Sequence, residues 1–399
     1  MLNFNFYSPT RFIFGRGVEN QAGEQVLAQG AKKALVVYGG GSAVKSGLLA
    51  RVTASLEEKG VAYVTLGGVQ PNPRASLVRK GIETCRSEGA DFLLAVGGGS
   101  VIDTCKAIAL GVPYEGDFWD FFCGKAKPKS ALGVGVVLTI AAAGSEGSTS
   151  CVITNEDGWY KRGCGTELNR PKFALMNPEL TCTLPPYQTA CGIVDMMAHV
   201  FERYFTNEEG VDLTDRLCEA VLSALVKAGR AAMRDPNDYE ARYNLMQAGT
   251  LAHNDLCGLG RKMDGSSHQI EHELSARYDV AHGAGLAVVF PAWMRYQLPH
   301  NPARMAQLAV RLWGCDMDFE HPEKTALQGI ERYTAFLREL GMPTTLQELG
   351  GRVEDIPAMA AKCKRNNGDR VGFYNPLDTA AIEEVLRISA RQLKTQKGR

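Results

Sequence analysis

From Met1 to about Thr183, short apolar runs alternate with helical stretches, and after Leu184-Pro185-Pro186 the alternation stops. The runs at 34–38, 61–66, 92–96 and 134–138 are aliphatic and often β-branched, as strands covered on both faces must be. Helical patterns fill the gaps between them. Strands joined by helical crossovers predict a parallel, doubly wound sheet, with ligands bound beyond the carboxyl ends of its strands. Past the proline pair come long amphipathic segments at 187–205, 213–234 and 239–253, rich in Ala, Leu, Met, Glu and Arg. The expected fold class is α/β plus all-α, with an α/β domain over 1–184 and an all-helical domain over 185–399. Proline suits a helix start and not a helix interior, so the pair marks the switch.

Two copies of Gly-Gly-Gly-Ser, at 39–42 and 97–100, each follow an apolar strand and precede a helix. Glycine lets a ligand approach the backbone, and N–H groups at the following helix start bind an anion such as a pyrophosphate. A tight strand–helix turn is the plainer explanation of one triplet, and less so of two. Neither copy fits Gly-x-Gly-x-x-Gly. Residues Gly39, Gly40, Gly41 and Ser42 are followed by Ala43-Val44-Lys45, with no carboxylate for a ribose diol. Glycine N–H groups, a serine hydroxyl and a lysine favour the 2′-phosphate of NADP over NAD.

Composition closes off other classes. Lys plus Arg and Asp plus Glu both number 44, so there is no basic field for nucleic acid. Eleven cysteines without a Cys-x-x-Cys pair read as reduced thiols, hence a cytoplasmic location. No apolar run is long enough to span a bilayer, so no membrane partner is expected.

Among seven histidines, four join an aspartate in a pattern: Asp195 and His199 at i, i+4, His268 and His272 at i, i+4, then His282. Spacing of four puts each pair on one helix face. Asp195 lies in the apolar stretch 193–198, where an unpaired carboxylate is costly to bury and a cation resolves the cost. One carboxylate with three imidazoles gives an N3O set suited to Fe(II) or Zn(II) with an open position for substrate. A lone histidine on an amphipathic helix is usually structural, and His253, His300 and His321 are read so. A competing motif is His268-x-x-Glu271-His272, the signature of a zinc metallohydrolase in which the glutamate is general base. It leaves the glycine triplets, Asp195 and His199 without a role.

Taken jointly, several segments resemble the iron-containing (group III) alcohol dehydrogenase family, in particular its butanol dehydrogenase-like branch. They are Phe12-Ile13-Phe14-Gly15, Tyr38 to Ser42, Pro71-Asn72-Pro73, Gly97 to Lys106, Gly192-Ile193-Val194-Asp195 with His199, and His282 to Met294. The resemblance covers nearly the whole chain. It implies a dehydroquinate-synthase-like fold, a dinucleotide-binding first domain and a metal-binding second one, with NAD(P) in the cleft between them. It implies a divalent metal held by Asp195, His199, His268 and His282, with His272 as a catalytic, non-ligand histidine beside the nicotinamide. Asn72, Gly98, Gly99, Ser100, Asp103, Thr139 and Lys161 match cofactor-contacting positions.

The implied reaction is hydride transfer between nicotinamide and a small-molecule substrate, a short-chain aldehyde or primary alcohol, in a homodimer. An apolar-alternating pair of strands at 4–7 and 11–14 offers an edge for that dimer. Three positions depart from the family pattern. Ala143 replaces a threonine near the cofactor phosphates, Gly265 replaces a tryptophan before His268, and Asn177 replaces an aspartate. The lost indole, with Arg261, Lys262, Arg365 and Arg370 nearby in sequence or in the C-terminal helices, suggests an aldehyde with a polar or anionic tail.

Overall fold

The computed structural model describes residues 1–391 of the 399. The alternating part of the chain forms β1 (Arg11–Phe14), α1 (Ala22–Ala28), β2 (Lys33–Gly39), α2 (Ser42–Lys45), α3 (Leu48–Glu58), β3 (Ala62–Val69) and α4 (Ala75–Glu88). It continues with β4 (Phe92–Gly97), α5 (Gly99–Gly111), α6 (Trp119–Phe122), β5 (Gly133–Leu138), β6 (Val152–Asn155), β7 (Tyr160–Gly163) and β8 (Phe173–Met176). Six strands make one parallel sheet in the order β1-β8-β5-β4-β2-β3, while β6 and β7 form a separate antiparallel hairpin.

Alternate side chains along each strand enter opposite apolar layers. Leu35, Val37, Leu93 and Ala95 pack with Val78 of α4 and Ile102 of α5. Val36, Leu94 and Val96 pack with Val26 of α1 and Val52 of α3. Burial on both faces explains why these strands read as unbroken apolar runs. The expected strand at 4–7 is not formed. Residues 1–10 have no strand partner, and β1 pairs in parallel with β8 instead of with the chain before it.

All later elements are helical: α7 (Pro186–Tyr204), α8 (Asp212–Arg234), α9 (Tyr239–His253), α10 (Ser266–Tyr278), α11 (His282–Gln297), α12 (Pro302–Trp313), α13 (Pro322–Glu339), α14 (Ile356–Lys362) and α15 (Thr379–Ala390), apart from short single turns. The chain divides into two compact units, one of 5–196 with 224–257, the other of 1–4, 197–223 and 258 onward. Secondary structure thus changes character near residue 184, whereas compactness follows packing. Residues 224–257 join the sheet-bearing unit because α9 is tied to it: the Thr250 hydroxyl donates to Glu146 at 2.6 Å and His253 Nδ1 meets the Ala143 carbonyl at 2.6 Å.

The other unit has an aromatic core, with Phe201 5.1 Å from Tyr333 and 5.3 Å from Phe290 between ring centres, and Trp293 donating to the Ser266 hydroxyl at 2.7 Å. Beside it lies a charged knot. Asp215 accepts from Arg261 at 2.7 Å and from Arg304 at 2.6 Å and 2.5 Å. Burial works against ionisation of Asp215, but hydrogen bonds and charge from Arg304 and Arg261 hold its pKa below the usual value. A depressed carboxylate pKa contributes stability that is present above the ordinary range and is lost as pH falls through the folded value. Asp215→Asn is therefore expected to cost about 3–5 kcal/mol at neutral pH, as breaking a buried pair does. In urea unfolding, the gap between wild type and variant should narrow as pH drops below about 4.

Candidate active site

The crossover from β2 leads to β3 on one side, and that from β4 leads to β5 on the other, although β2 and β4 are neighbours. Such a switch opens a crevice at the carboxyl ends of the two strands, and both glycine triplets sit there. At the first, added Cβ atoms on Gly40 or Gly41 would touch nothing within 4 Å, and Gly41 has φ +134°, which side chains avoid. At the second, space is short. A Cβ on Gly98 would come within 2.0 Å of Ile140, so glycine there serves packing as well as any ligand. Gly99 opens α5, and its Cβ position lies 3.8 Å from Ala143, so the missing hydroxyl falls beside this triplet.

Thr139 joins the same edge, its N–H bonded to the Gly97 carbonyl at 3.2 Å, with Ser100 in the first turn of α5. Asn72, just past β3, is buried at φ +53° and its side-chain oxygen accepts from Lys161 at 3.1 Å. The Asp103 carboxylate is already engaged: one oxygen accepts from Ser145 at 2.6 Å, the other from the Val152 N–H at 2.9 Å. Burial pushes its pKa up against the pull of Lys106. Lys106, fully buried, was not among the expected site residues. Its ammonium reaches the carbonyls of Ser145, Ser148 and Ser150 at 2.7–3.1 Å and fastens the loop 145–150. Only its position on α5, one turn after Asp103, hinted at this.

Histidines gather elsewhere. The continuous helix α7 carries Asp195 and His199 one turn apart, both buried. Ring centres of His199 and His268 are 4.3 Å apart, those of His268 and His282 5.3 Å, and those of His272 and His282 5.7 Å. Two residues that the histidine pattern alone leaves unassigned as supports complete the arrangement. Glu202 lies 2.8 Å from His268 Nδ1 and also accepts from the Ser267 hydroxyl and the His268 N–H. Glu271 pairs with His282 Nδ1 and accepts from Ser275. Carboxylates on Nδ1 assign the lone pair to Nε2, the arrangement that orients imidazole ligands toward a metal. Burial alone would raise the Glu202 pKa, yet His268 and the surrounding donors hold it below the usual value. Its signal in sequence is position: 195, 199 and 202 share one stripe of α7.

This arrangement overturns two expectations. Glu271 is wholly buried with both oxygens bonded, and a Cβ on Gly285 of α11 would come within 2.6 Å of it. It has no room to activate water, so the metallohydrolase reading fails. Arg261 cannot meet a substrate anion, because its side chain is buried and donates to Asp215, the Arg203 carbonyl and the Val211 carbonyl. Arg365 donates to Ala360 and Thr379, and Lys262 lies over the Phe373 ring. Gly265 caps α10 at φ +73°, a backbone conformation that itself selects glycine. Asn177 caps the turn after β8 and donates to Glu19 at 3.0 Å, which gives the departure there a structural role.

Residues 9–178 match the family model "Iron-containing alcohol dehydrogenase", and 189–391 match "Fe-containing alcohol dehydrogenase family, C-terminal". The chain is 42% identical to the probable NADH-dependent butanol dehydrogenase 1 of Bacillus subtilis, covering 98% of this chain and 100% of that protein. It is 35% identical to the NADPH-dependent aldehyde reductase YqhD of Escherichia coli, over 93% and 95% of the two chains. Among solved structures, NADH-dependent butanol dehydrogenase A of Thermotoga maritima superimposes with a TM-score of 0.95 at 38% identity, over 98% and 99% of the chains. These relatives share the dehydroquinate-synthase-like fold with its C-terminal helical part. The chain belongs to the iron-containing alcohol dehydrogenase family and is a metal-dependent, NAD(P)-linked alcohol dehydrogenase or aldehyde reductase.

Proposed function

We propose that the protein interconverts short-chain aldehydes and primary alcohols with NADP(H), using Asp195, His199, His268 and His282 as metal ligands and His272 as the proton-transferring residue. The observation that carries this reading is the convergence of three imidazoles, two of them held at Nδ1 by buried carboxylates. An N3O donor set of this kind fits Fe(II) or Zn(II), and the family name favours iron. When bound, the metal supplies Lewis acidity at the substrate oxygen and the nicotinamide carries the hydride. His272, one turn beyond His268 on α10, exchanges a proton with the substrate oxygen. Glu202 and Glu271 keep the ligand rings in one orientation. In this reading 1–184 act as the nucleotide-binding domain and 185–399 as the metal-binding domain, with Gly98, Gly99, Ser100, Thr139, Asn72 and Lys161 on the cofactor. Eleven free cysteines support a reducing, cytoplasmic setting. No helix among the described residues is long and apolar enough to cross a membrane.

Asp195→Ala and His282→Ala are expected to lose metal by elemental analysis and to lose turnover with butanal, while cofactor binding followed by fluorescence persists. Glu202→Gln should weaken metal binding by about 10–100-fold without removing a ligand. Loss of metal from His272→Ala but not from His268→Ala would reverse the roles assigned here.

The NADP preference rests on the first glycine loop, where Ser42 and Lys45 are exposed and no acidic residue lies between 39 and 45. The named relatives include both NADH- and NADPH-dependent enzymes. Higher kcat/KM with NADPH than with NADH is expected, falling by about tenfold or more in Ser42→Asp/Lys45→Glu through lost charged contacts; equal values in the wild type would refute the assignment.

A homodimer is proposed on the exposed side chains of Phe4 and Phe6, which precede the edge strand β1 in the chain. Phe4→Ser/Phe6→Ser should shift the sedimentation coefficient toward the monomer, and an unchanged value would discard this route.

A further inference from the structure

A cavity of about 550 Å³ opens at the amino ends of β1, β5 and β8, the end of the sheet opposite the glycine triplets. That size falls among small-molecule sites, roughly 300–1,000 Å³. Leu132 and Leu168 give it an apolar wall. Its charged groups are mostly of one sign. Arg11 and Lys172 line it, and neither head group has an ion-pair or hydrogen-bond partner among the described residues. Arg170, the third cation, is committed to Glu167 at 2.7 Å, Asp255 at 2.6 Å and the Gly147 carbonyl at 2.6 Å. Glu167, the single carboxylate of the lining, is thereby paired.

A second observation is independent of these charges. Gln25 faces the cavity from α1, on the same side of the helix as Ala28 and Gln29. It is only 7% exposed, yet its side-chain amide has no partner among the described residues. With no protein partner, the amide is open to a ligand in the cavity, and unpaired cations beside an apolar wall attract an anion with an apolar body. The geometry points to a binding site for a small organic carboxylate, with its charge between Arg11 and Lys172, a hydrogen bond from the Gln25 amide and its hydrocarbon part against Leu132 and Leu168. The site stands apart from the dehydrogenase chemistry, since none of its residues belongs to the cofactor or metal sets.

Isothermal titration of the full-length, metal-loaded enzyme with hexanoate tests it, with hexanamide and inorganic phosphate as controls and butanol present in excess to occupy the active site. Saturable binding of one hexanoate per chain is expected, with hexanamide and phosphate weaker by about tenfold or more, as for loss of a charged contact. Arg11→Gln/Lys172→Gln should weaken hexanoate to the same degree, and Gln25→Leu should weaken it several-fold, while butanal reduction stays at the wild-type rate in both. If the double variant fails to fold, Gln25→Leu and the hexanamide comparison carry the test. No saturable binding, equal binding of phosphate or hexanamide, displacement by butanol, or undiminished binding in the variants would overturn the proposal.

Discussion

Two glutamates buried among histidines govern the helical unit. Glu202 and Glu271 are almost wholly inaccessible to water, and a carboxylate in that position must be given donors or remain neutral. Each is given an imidazole Nδ1 and a serine hydroxyl. Meeting those bonds fixes the rotation of α10 about its axis, since it must offer His268 and Ser267 to α7 while offering Glu271 to His282 at the start of α11. Gly285 lets α11 approach closely enough for this. The orientation of the ligand rings follows from an electrostatic requirement met away from the substrate.

The sheet-bearing unit answers a similar requirement with the opposite sign. The ammonium of Lys106 is sealed under the loop 145–150, where burial lowers its pKa and Asp103 raises it. Carbonyls and hydroxyls of that loop replace its water. Asp103, one turn earlier, binds the two ends of the same segment through Ser145 and Val152. Asp103, which matches a cofactor-contacting position, thus acts on the shape of a loop, and the buried charge of Lys106 serves as its anchor.

Much of this was legible in the sequence. Strand runs buried on both faces announced the parallel sheet, and the helices at 187–205, 213–234 and 239–253 formed within a residue or so of expectation. Period-four spacing placed Asp195 with His199 and His268 with His272, because helix geometry is local. The strand at 4–7 failed because alternation supplies only a tendency, and pairing needs a partner that the fold gives to β1 instead.

What the sequence determined by itself were the properties set by neighbours along the chain: helix faces, strand burial, turns at glycine and the residue types of a metal site. Tertiary structure alone decided which polar groups meet across distant segments. Glu271 could be a general base or a support for His282, and Arg261 an anion receptor or a partner of Asp215, with identical sequence. Burial and packing chose between them, because a charged side chain is available for chemistry only when no other element of the fold has already claimed it.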